Sequence, residues 1–465
     1  MSQDLTPPDL TPPDLSQPIH VHVVGAGGAG MSAIATVLAA MGHTVTGSDL
    51  KASPVIDRLT AAGIDVIVGH AAENVGDADV VTVSTAIRDG NPEVVEARRR
   101  GIPVYRRSIV LAAIAALRRC IAVAGTHGKT TTASMLALML VEAGLRPSFL
   151  IGGEVNEIGT NAVWDDGEWL VVEADESDGT FLSLVPDIAV VTNVEPDHLD
   201  HYGSFEAMRS AFGAFLQVAR HRVVGGDDAE ALTLARAHDA DTVGVGENCS
   251  HRLTDLNLSR SSVAFNLRAD GVDLGRLAVP VPGLHNARNA AVAAVAALAA
   301  GVAFEDAAAA LARFAGVARR FEFRGVAGGV TFVDDYAHLP SEVEAALAAA
   351  RDGAWQRIVA VFQPHRYSRT AALSSDFGRA FVDADVVVIT DVYGAGEPPI
   401  PGVSGRLVAD AVHRAEPDKP VIYVASRSEL RAGVASLLTA GDLCCTLGAG
   451  DLTSLPDELL AAPSW

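Results

Sequence analysis

Residues 118–145 read RRCIAVAGTHGKTTTASMLALMLVEAGL: an apolar run, a glycine-bearing turn, then a stretch with the pattern of an amphipathic helix. Glycines let backbone amides turn inward around phosphate oxygens, and the helix that follows presents the positive end of its dipole. Gly125, Thr126, His127, Gly128, Lys129, Thr130 and Thr131 form the turn. Lys129 is expected to neutralise terminal phosphates and the Thr130 hydroxyl to help hold Mg²⁺. The spacing departs from the usual phosphate loop, because Val123 stands where the early glycine would fall. Gly-Lys-Thr alone can open an ordinary helix; its place between an apolar strand and a helix favours phosphate binding.

Upstream, residues 19–42 repeat the strand–turn–helix order around Gly25-x-Gly27-x-x-Gly30, with Gly28 inside the turn, and the next strand ends on Asp49. Asp49 stands where a ribose-binding acid would, yet any nucleotide diphosphate can use such a turn, so NAD is not implied. Further strands are expected at 65–69 and 80–87. Residues 18–117 read as a Rossmann-like domain, 118–316 as a central ATP-binding domain with a parallel sheet, and 317–465 as a third, Rossmann-like α/β domain. Residues 250–280 alternate apolar and polar, which predicts antiparallel strands at the edge of the central domain. Residues 1–17 carry DLTPP twice and are expected to be a disordered Pro-rich tail.

In the central domain the run 169–175 leads into Glu173, Asp175, Glu176 and Asp178. The run at 187–194 leads into Glu195, Asp197, His198, Asp200 and His201. Carboxylates crowded at strand ends repel one another unless cations sit among them. Zinc is one reading; hard carboxylates beside a phosphate loop fit Mg²⁺ better. In the third domain, residues 362–369 place Arg366 and Arg369 three apart, so that on a helical turn they share a face and can grip one carboxylate. Asp334, Asp335, Tyr336 and His338 fall at another strand end; His338 reads equally well as a packed loop histidine.

Lys and Arg number 35 against 57 Asp and Glu, a formal net charge of −22. That balance argues against binding nucleic acid or lying on an anionic membrane, both of which need basic surfaces. The cysteines Cys120, Cys249, Cys444 and Cys445 make no CxxC pair, which disfavours a disulfide framework or a zinc site. With no signal-peptide pattern and no apolar run of membrane-spanning length, a cytoplasmic protein is expected.

Taken together, these strings resemble the Mur ligase family. The resemblance runs in order through GAGGAGMS, GSD, GTHGKTTT, EADESDGTF, NVEPDHLDHY, GLHNARNA, GVARRFEFRG, VDDYAHLPSE, FQPHRYSRT, DVYGAGEPPIPGV and LGAGD. GAGGAGMS and FQPHRYSRT are similar to the branch that adds L-alanine to UDP-N-acetylmuramate, using ATP and Mg²⁺. The resemblance implies an N-terminal domain that holds the sugar nucleotide, with Gly25, Gly27, Gly28 and Gly30 on its diphosphate and Asp49, His70 and Ser84 nearby. It implies Lys129 and Thr130 on the ATP phosphates and Mg²⁺, and Glu173 and His198 as further metal ligands. It also implies Asn289 on adenine, Arg320 on phosphate, and Asp335 and His338 at the nucleotide end of the third domain. Arg366 and Arg369 would receive the incoming carboxylate. His198 and His338 are candidates for the base that takes the amine's proton, and a monomer or homodimer is expected. A ligase that attaches a ready-made peptide to the same sugar nucleotide is the near alternative, and an NAD-dependent oxidoreductase the distant one.

Overall fold

The computed structural model describes residues 11–353 and 355–461. Its strands form three separate sheets. The first holds β1 (His20–Val24), β2 (Thr44–Asp49), β3 (Asp65–Val68), β4 (Val80–Val83) and β5 (Val104–Arg106) in the order β3-β2-β1-β4-β5. Every pairing in it is parallel. The second sheet runs through β6 (Arg119–Ala124), β7 (Ser148–Val155), β8 (Thr160–Val163), β9 (Trp169–Glu173) and β10 (Ile188–Val191). It continues with β11 (His221–Gly225), β12 (Asp241–Gly244), β13 (His251–Leu258), β14 (Val263–Ala269) and β15 (Val272–Val279). Its order is β15-β14-β13-β12-β11-β10-β6-β9-β7-β8, parallel about β6, with β8 antiparallel to β7. The third contains β16 (Glu322–Ala327), β17 (Val330–Asp335), β18 (Arg357–Phe362), β19 (Val386–Thr390), β20 (Val421–Val424) and β21 (Asp442–Leu447). Its order is β16-β17-β21-β18-β19-β20, and only β16 runs antiparallel to its neighbour.

Parallel strands covered on both faces read as unbroken apolar runs. β4, β10 and β19 are buried along their whole length, and Cys444 and Cys445 lie buried in β21. Chain order reverses beside β1 and beside β6, and at such switch points the loops leaving the carboxyl ends of the strands part to leave a crevice. Gly25–Gly30 and Gly125–Lys129 occupy those two positions.

The chain forms two compact units: Met1–Thr254 with Asn266–Arg276 and Arg288–Ala312, and Asp255–Phe265 with Leu277–Ala287 and Arg313–Trp465. The first carries the first sheet and β6–β12, and the second carries the third sheet. No helix among the described residues is long and apolar enough to cross a membrane.

Two expectations change. The helix Lys129–Glu142 is not amphipathic in use: residues Thr130 to Leu140 are all buried, because the helix packs against β7 and β9. Part of the expected tail is packed. Residues 1–10 lie outside the described residues, but Leu15 is only 5% exposed within the core that also holds Val21 and Ile34. The Thr11 carbonyl accepts a hydrogen bond of 2.7 Å from the Tyr105 hydroxyl. One buried leucine and one paired carbonyl hold this segment down. Leu15→Ala is expected to destabilise the unit that carries it by about 2 kcal/mol, read as a lower denaturation midpoint; an unchanged midpoint would mean that residues 11–17 do not pack in solution.

Candidate active site

The turn after β6 is built so that side chains cannot fill it. Gly125 has φ +133° and Gly128 φ +79°, conformations that favour glycine. A Cβ on Gly125 would collide with Thr192, and one on Gly128 would stand 2.5 Å from Asn289 Oδ1. The loop is pinned from beneath. Thr126 Oγ1 accepts from Glu195 N at 2.8 Å, and His127 N donates to Asn193 Oδ1 at 2.8 Å. His127 Nε2 lies 3.3 Å from Glu195. Lys129 Nζ curls back over the turn, donating to the Gly125 carbonyl at 2.6 Å and to Glu176 Oε1 at 2.8 Å. Burial works against the charge on Lys129, but Glu176, with Glu173 and Asp175 behind it, raises it above its ordinary value. Burial pushes Glu176 itself up to about 7, and its Oε2 is buried without a hydrogen-bond partner among the described residues. A cation held at a glycine-lined turn by one reluctant carboxylate can be transferred to a stronger anion.

Thr130 Oγ1 donates to Glu173 Oε1 at 2.9 Å, and Glu173 Oε2 accepts from Gly152 N at 2.6 Å. A hydroxyl and a carboxylate at the mouth of a phosphate loop are hard oxygen donors suited to Mg²⁺, which takes one or two carboxylates and completes its shell with water and substrate phosphates. Among the described residues no three His, Cys, Asp or Glu side chains form a metal-binding group. His198, with φ +52°, has Nε2 3.2 Å from Asp197 and 4.0 Å from Glu176. It therefore joins the Lys129–Glu176 pair, while Thr130 and Glu173 pair with each other. His201 stacks edge-on against Tyr202, whose hydroxyl donates to the Glu176 carbonyl at 2.5 Å. The side chain of Asp200 lies outside the described residues.

At the first sheet Gly27 N donates to Asp49 Oδ2 at 2.8 Å, so Asp49 braces the turn from β2. Ser84 follows β4, and a Cβ on Gly25 would stand 3.1 Å from its Cβ. His70 Nδ1 lies 3.1 Å from Ser48 Oγ, which donates to the buried Glu93 at 2.6 Å. Gly30 faces Arg107: a Cβ there would stand 2.8 Å from the guanidinium. Arg107 in turn binds Asp175 at 2.5 Å and Asp178 at 3.0 Å, which links the first glycine turn to the acidic segment after β9. Burial opposes ionisation of Asp175, yet Arg107 and the Ser177 bonds hold it down to about 2.

In the second unit the carboxyl ends of β17, β18 and β21 carry the remaining candidates. Asp335 is buried and accepts from Phe321 N at 2.7 Å and Ala337 N at 2.8 Å; burial pushes it up to about 6 although Arg320 opposes that shift. The Arg320 guanidinium lies over the Tyr336 ring at 5.1 Å. His338 Nδ1 is 3.2 Å from Glu342. Arg366 and Arg369 do not both sit on a helical turn. The helix spans Tyr367–Leu373, and Arg366 precedes it with φ +70°. Arg369 reaches His365 Nδ1 at 3.3 Å, and Arg366 Nε is buried with no partner among the described residues. An unmet guanidinium donor beside a second arginine is suited to an anion.

Three family models match in order along the chain: the Mur ligase family catalytic domain at residues 20–119, the Mur ligase middle domain at 123–297, and the Mur ligase glutamate ligase domain at 319–450. The chain belongs to the Mur ligase family. A UDP-N-acetylmuramate–L-alanine ligase of Agrobacterium fabrum is 44% identical over 455 residues, covering 94% of this chain and 96% of that one. The enzyme of the same name from Pelotomaculum thermopropionicum is 45% identical over 447 residues, covering 95% and 97%. Among solved structures, the UDP-N-acetylmuramate-alanine ligase MurC of Thermotoga maritima superposes with a TM-score of 0.82 at 29% identity, covering 95% of this chain and 98% of that one. A murein peptide ligase of Psychrobacter arcticus shares the fold, with a TM-score of 0.69 at 24% identity over 95% and 98% of the chains.

Against this Mur ligase frame, sequence reasoning missed Arg107, Glu93 and His365 as site-shaping residues. Arg107 and Glu93 find their partners 68 and 45 residues away, so no local pattern marks them. His365 lies inside a quoted motif but reveals its state only through its neighbours. Burial, with His338, Arg369 and Arg366 adding to it, pulls His365 down to about 3. The unfolded chain takes up that proton below the ordinary histidine value while the folded unit refuses it. Its contribution is therefore complete above about pH 6.5 and is lost as pH falls toward about 3. Relative to wild type, His365→Gln is expected to lose about 2 kcal/mol less stability between about pH 7 and about pH 5. Denaturation midpoints across that range check this, and parallel curves for the two proteins would contradict it.

Proposed function

We propose that this Mur ligase joins L-alanine to the lactyl carboxylate of UDP-N-acetylmuramate, with cleavage of ATP to ADP and phosphate, as the curated relatives of that name do. The observation that carries the reading is the loop at Gly125–Thr131 and its part-buried Lys129 within a chain that is 44–45% identical to those ligases over nearly its full length. We assign residues 18–117 to the sugar nucleotide, 118–316 to ATP and 317–465 to the amino acid. In the first unit residues 125–131 and Asn289 would cradle ATP; in the second, Arg320 and Asp335 are proposed as nucleotide contacts. Gly25, Gly27, Gly28, Gly30, Asp49, His70 and Ser84 would hold the sugar nucleotide.

The chemistry needs a carboxylate to attack a phosphate, so two anions must meet. Lys129 is the first answer to that repulsion: drawn from Glu176 toward the γ-phosphate, it lowers the charge the attacking oxygen faces. Thr130, Glu173 and His198 are proposed to hold Mg²⁺, which when bound would further neutralise the phosphate oxygens. Attack at phosphorus forms an acyl phosphate and releases ADP. The amine of alanine then attacks the acyl carbon, and the C–O bond to phosphate breaks. Arg366 and Arg369 would anchor the alanine carboxylate. The amine must first lose a proton; His198 and His338 are the proposed acceptors.

Phosphate release with ATP, Mg²⁺ and UDP-N-acetylmuramate, with and without L-alanine, tests the reading with product mass as readout. Alanine-dependent release and a product heavier by one alanyl residue are expected; release only with a peptide would favour a peptide-attaching ligase. Lys129→Ala should lower turnover by at least about a thousandfold while sugar-nucleotide binding persists. Arg366→Ala should raise the KM for alanine by about tenfold to a hundredfold, and an effect confined to ATP would contradict the carboxylate role.

A further inference from the structure

Glu93 opens the helix Pro92–Arg99 and is fully buried. Its Oε1 accepts from Asn74 Nδ2 at 2.6 Å and from Ala71 N at 3.3 Å. Its Oε2 accepts from the Ser48 hydroxyl at 2.6 Å. The same Ser48 oxygen stands 3.1 Å from His70 Nδ1, which is also 3.4 Å from Glu93 Oε2. Behind them the buried His22 Nε2 lies 3.7 Å from Oε2. Burial opposes ionisation of Glu93, but His22, Ser48 and Asn74 around it hold it down to about 2.

The directions of these hydrogen bonds follow from what each group can give. An ionised carboxylate only accepts, so the single Ser48 proton must point at Glu93. Ser48 Oγ then has only lone pairs to offer His70, and the imidazole must bring its own proton to that bond. Nδ1 carries the ring hydrogen, and Nε2 keeps its lone pair. We propose that Glu93 is a positioning residue of the sugar-nucleotide site: through Ser48 it fixes His70 as the Nδ1–H tautomer and leaves Nε2 to accept a hydrogen bond from a donor on the bound nucleotide. The last step rests on the reading of His70 as a sugar-nucleotide contact. The chemistry it selects for is a hydrogen-bond donor, such as a ribose hydroxyl or an imide N–H.

Glu93→Gln reverses the relay without changing its shape. The amide oxygen stays at the Oε1 position, where Asn74 and Ala71 both donate, so the amide nitrogen replaces Oε2 and now donates to Ser48. The Ser48 proton is freed from the carboxylate and turns toward His70 Nδ1, which accepts it in the bare form, and the ring proton moves to Nε2. The acceptor that faces the nucleotide becomes a donor.

Ring-nitrogen NMR of the full-length protein, with the His70 signals assigned by their loss in His70→Gln, reads the tautomer directly. The wild type is expected to show a protonated Nδ1 and a bare Nε2, Glu93→Gln the reverse. KM for UDP-N-acetylmuramate should rise by about tenfold in that variant, with the change falling on KM rather than kcat or the KM for ATP. Should Glu93→Gln fold poorly, Ser48→Ala removes the same link and should leave the ring without its fixed preference. A wild-type ring that is doubly protonated or carries its proton on Nε2, or a tautomer unmoved by both variants, overturns the proposal. A ring that switches in Glu93→Gln but whose Nε2 signal ignores saturating UDP keeps the relay and overturns the placement of the nucleotide.

Discussion

Lys129 lies part-buried over a turn of backbone carbonyls, and what keeps it charged there is chiefly Glu176, a carboxylate that burial makes reluctant to ionise, with Glu173 and Asp175 behind it. A lysine without Glu176 would tend to lose its proton; a lysine paired with a well-solvated carboxylate would be slow to leave it. The loop glycines, the Asn193 and Thr192 bonds beneath them and the fully packed helix behind them all serve to hold this one ammonium where phosphate oxygens would arrive. The sheet order matters for the same reason. Because β6 lies between β10 and β9, the two acidic segments that follow those strands flank the loop on either side.

Polar pairs that are buried or part-buried recur at the other rims. Arg107 ties the Gly30 turn to Asp175 and Asp178, and so connects the first glycine turn with the carboxylates around Lys129. Asp335 braces Phe321 and Ala337 by their amides while burial keeps it near the edge of ionisation. Each pair trades desolvation against directionality. A buried charge is tolerated where several donors or an opposite charge meet it, and the geometry gained is what a reaction between two anions requires.

How much of this the sequence disclosed depends on the range over which each feature is encoded. The glycine turns, the helix starts that follow them and the apolar parallel strands are local, and they are legible from residues 19–49, 118–145 and 330–336. Thr130 and Glu173 could be nominated separately because each ends a strand or opens a helix; that they bond to one another follows only from β6 lying beside β9. The Ser148–Val155 and Thr160–Val163 hairpin escaped because its glycines and mixed polarity resemble a loop. Leu15 escaped because the prolines around it suggest a chain with nothing to bury. The positive φ of Arg366 was invisible as well, since a non-glycine residue takes that conformation only when the surrounding fold imposes it. Composition, by contrast, could only exclude: the net charge of −22 argues against nucleic acid and leaves open small anions held by local cations.

The central claim is that ATP is cleaved by transfer of its phosphate to the sugar's carboxylate at the Lys129 loop, before the amide forms. Ligation with UDP-N-acetylmuramate carrying heavy oxygen in both positions of the lactyl carboxylate tests this by mass spectrometry of the products. One heavy oxygen should appear in the released inorganic phosphate and one should remain in the new amide. Phosphate released with no heavy oxygen, alongside normal amide formation, would mean that the carboxylate never attacked phosphorus and would contradict the account.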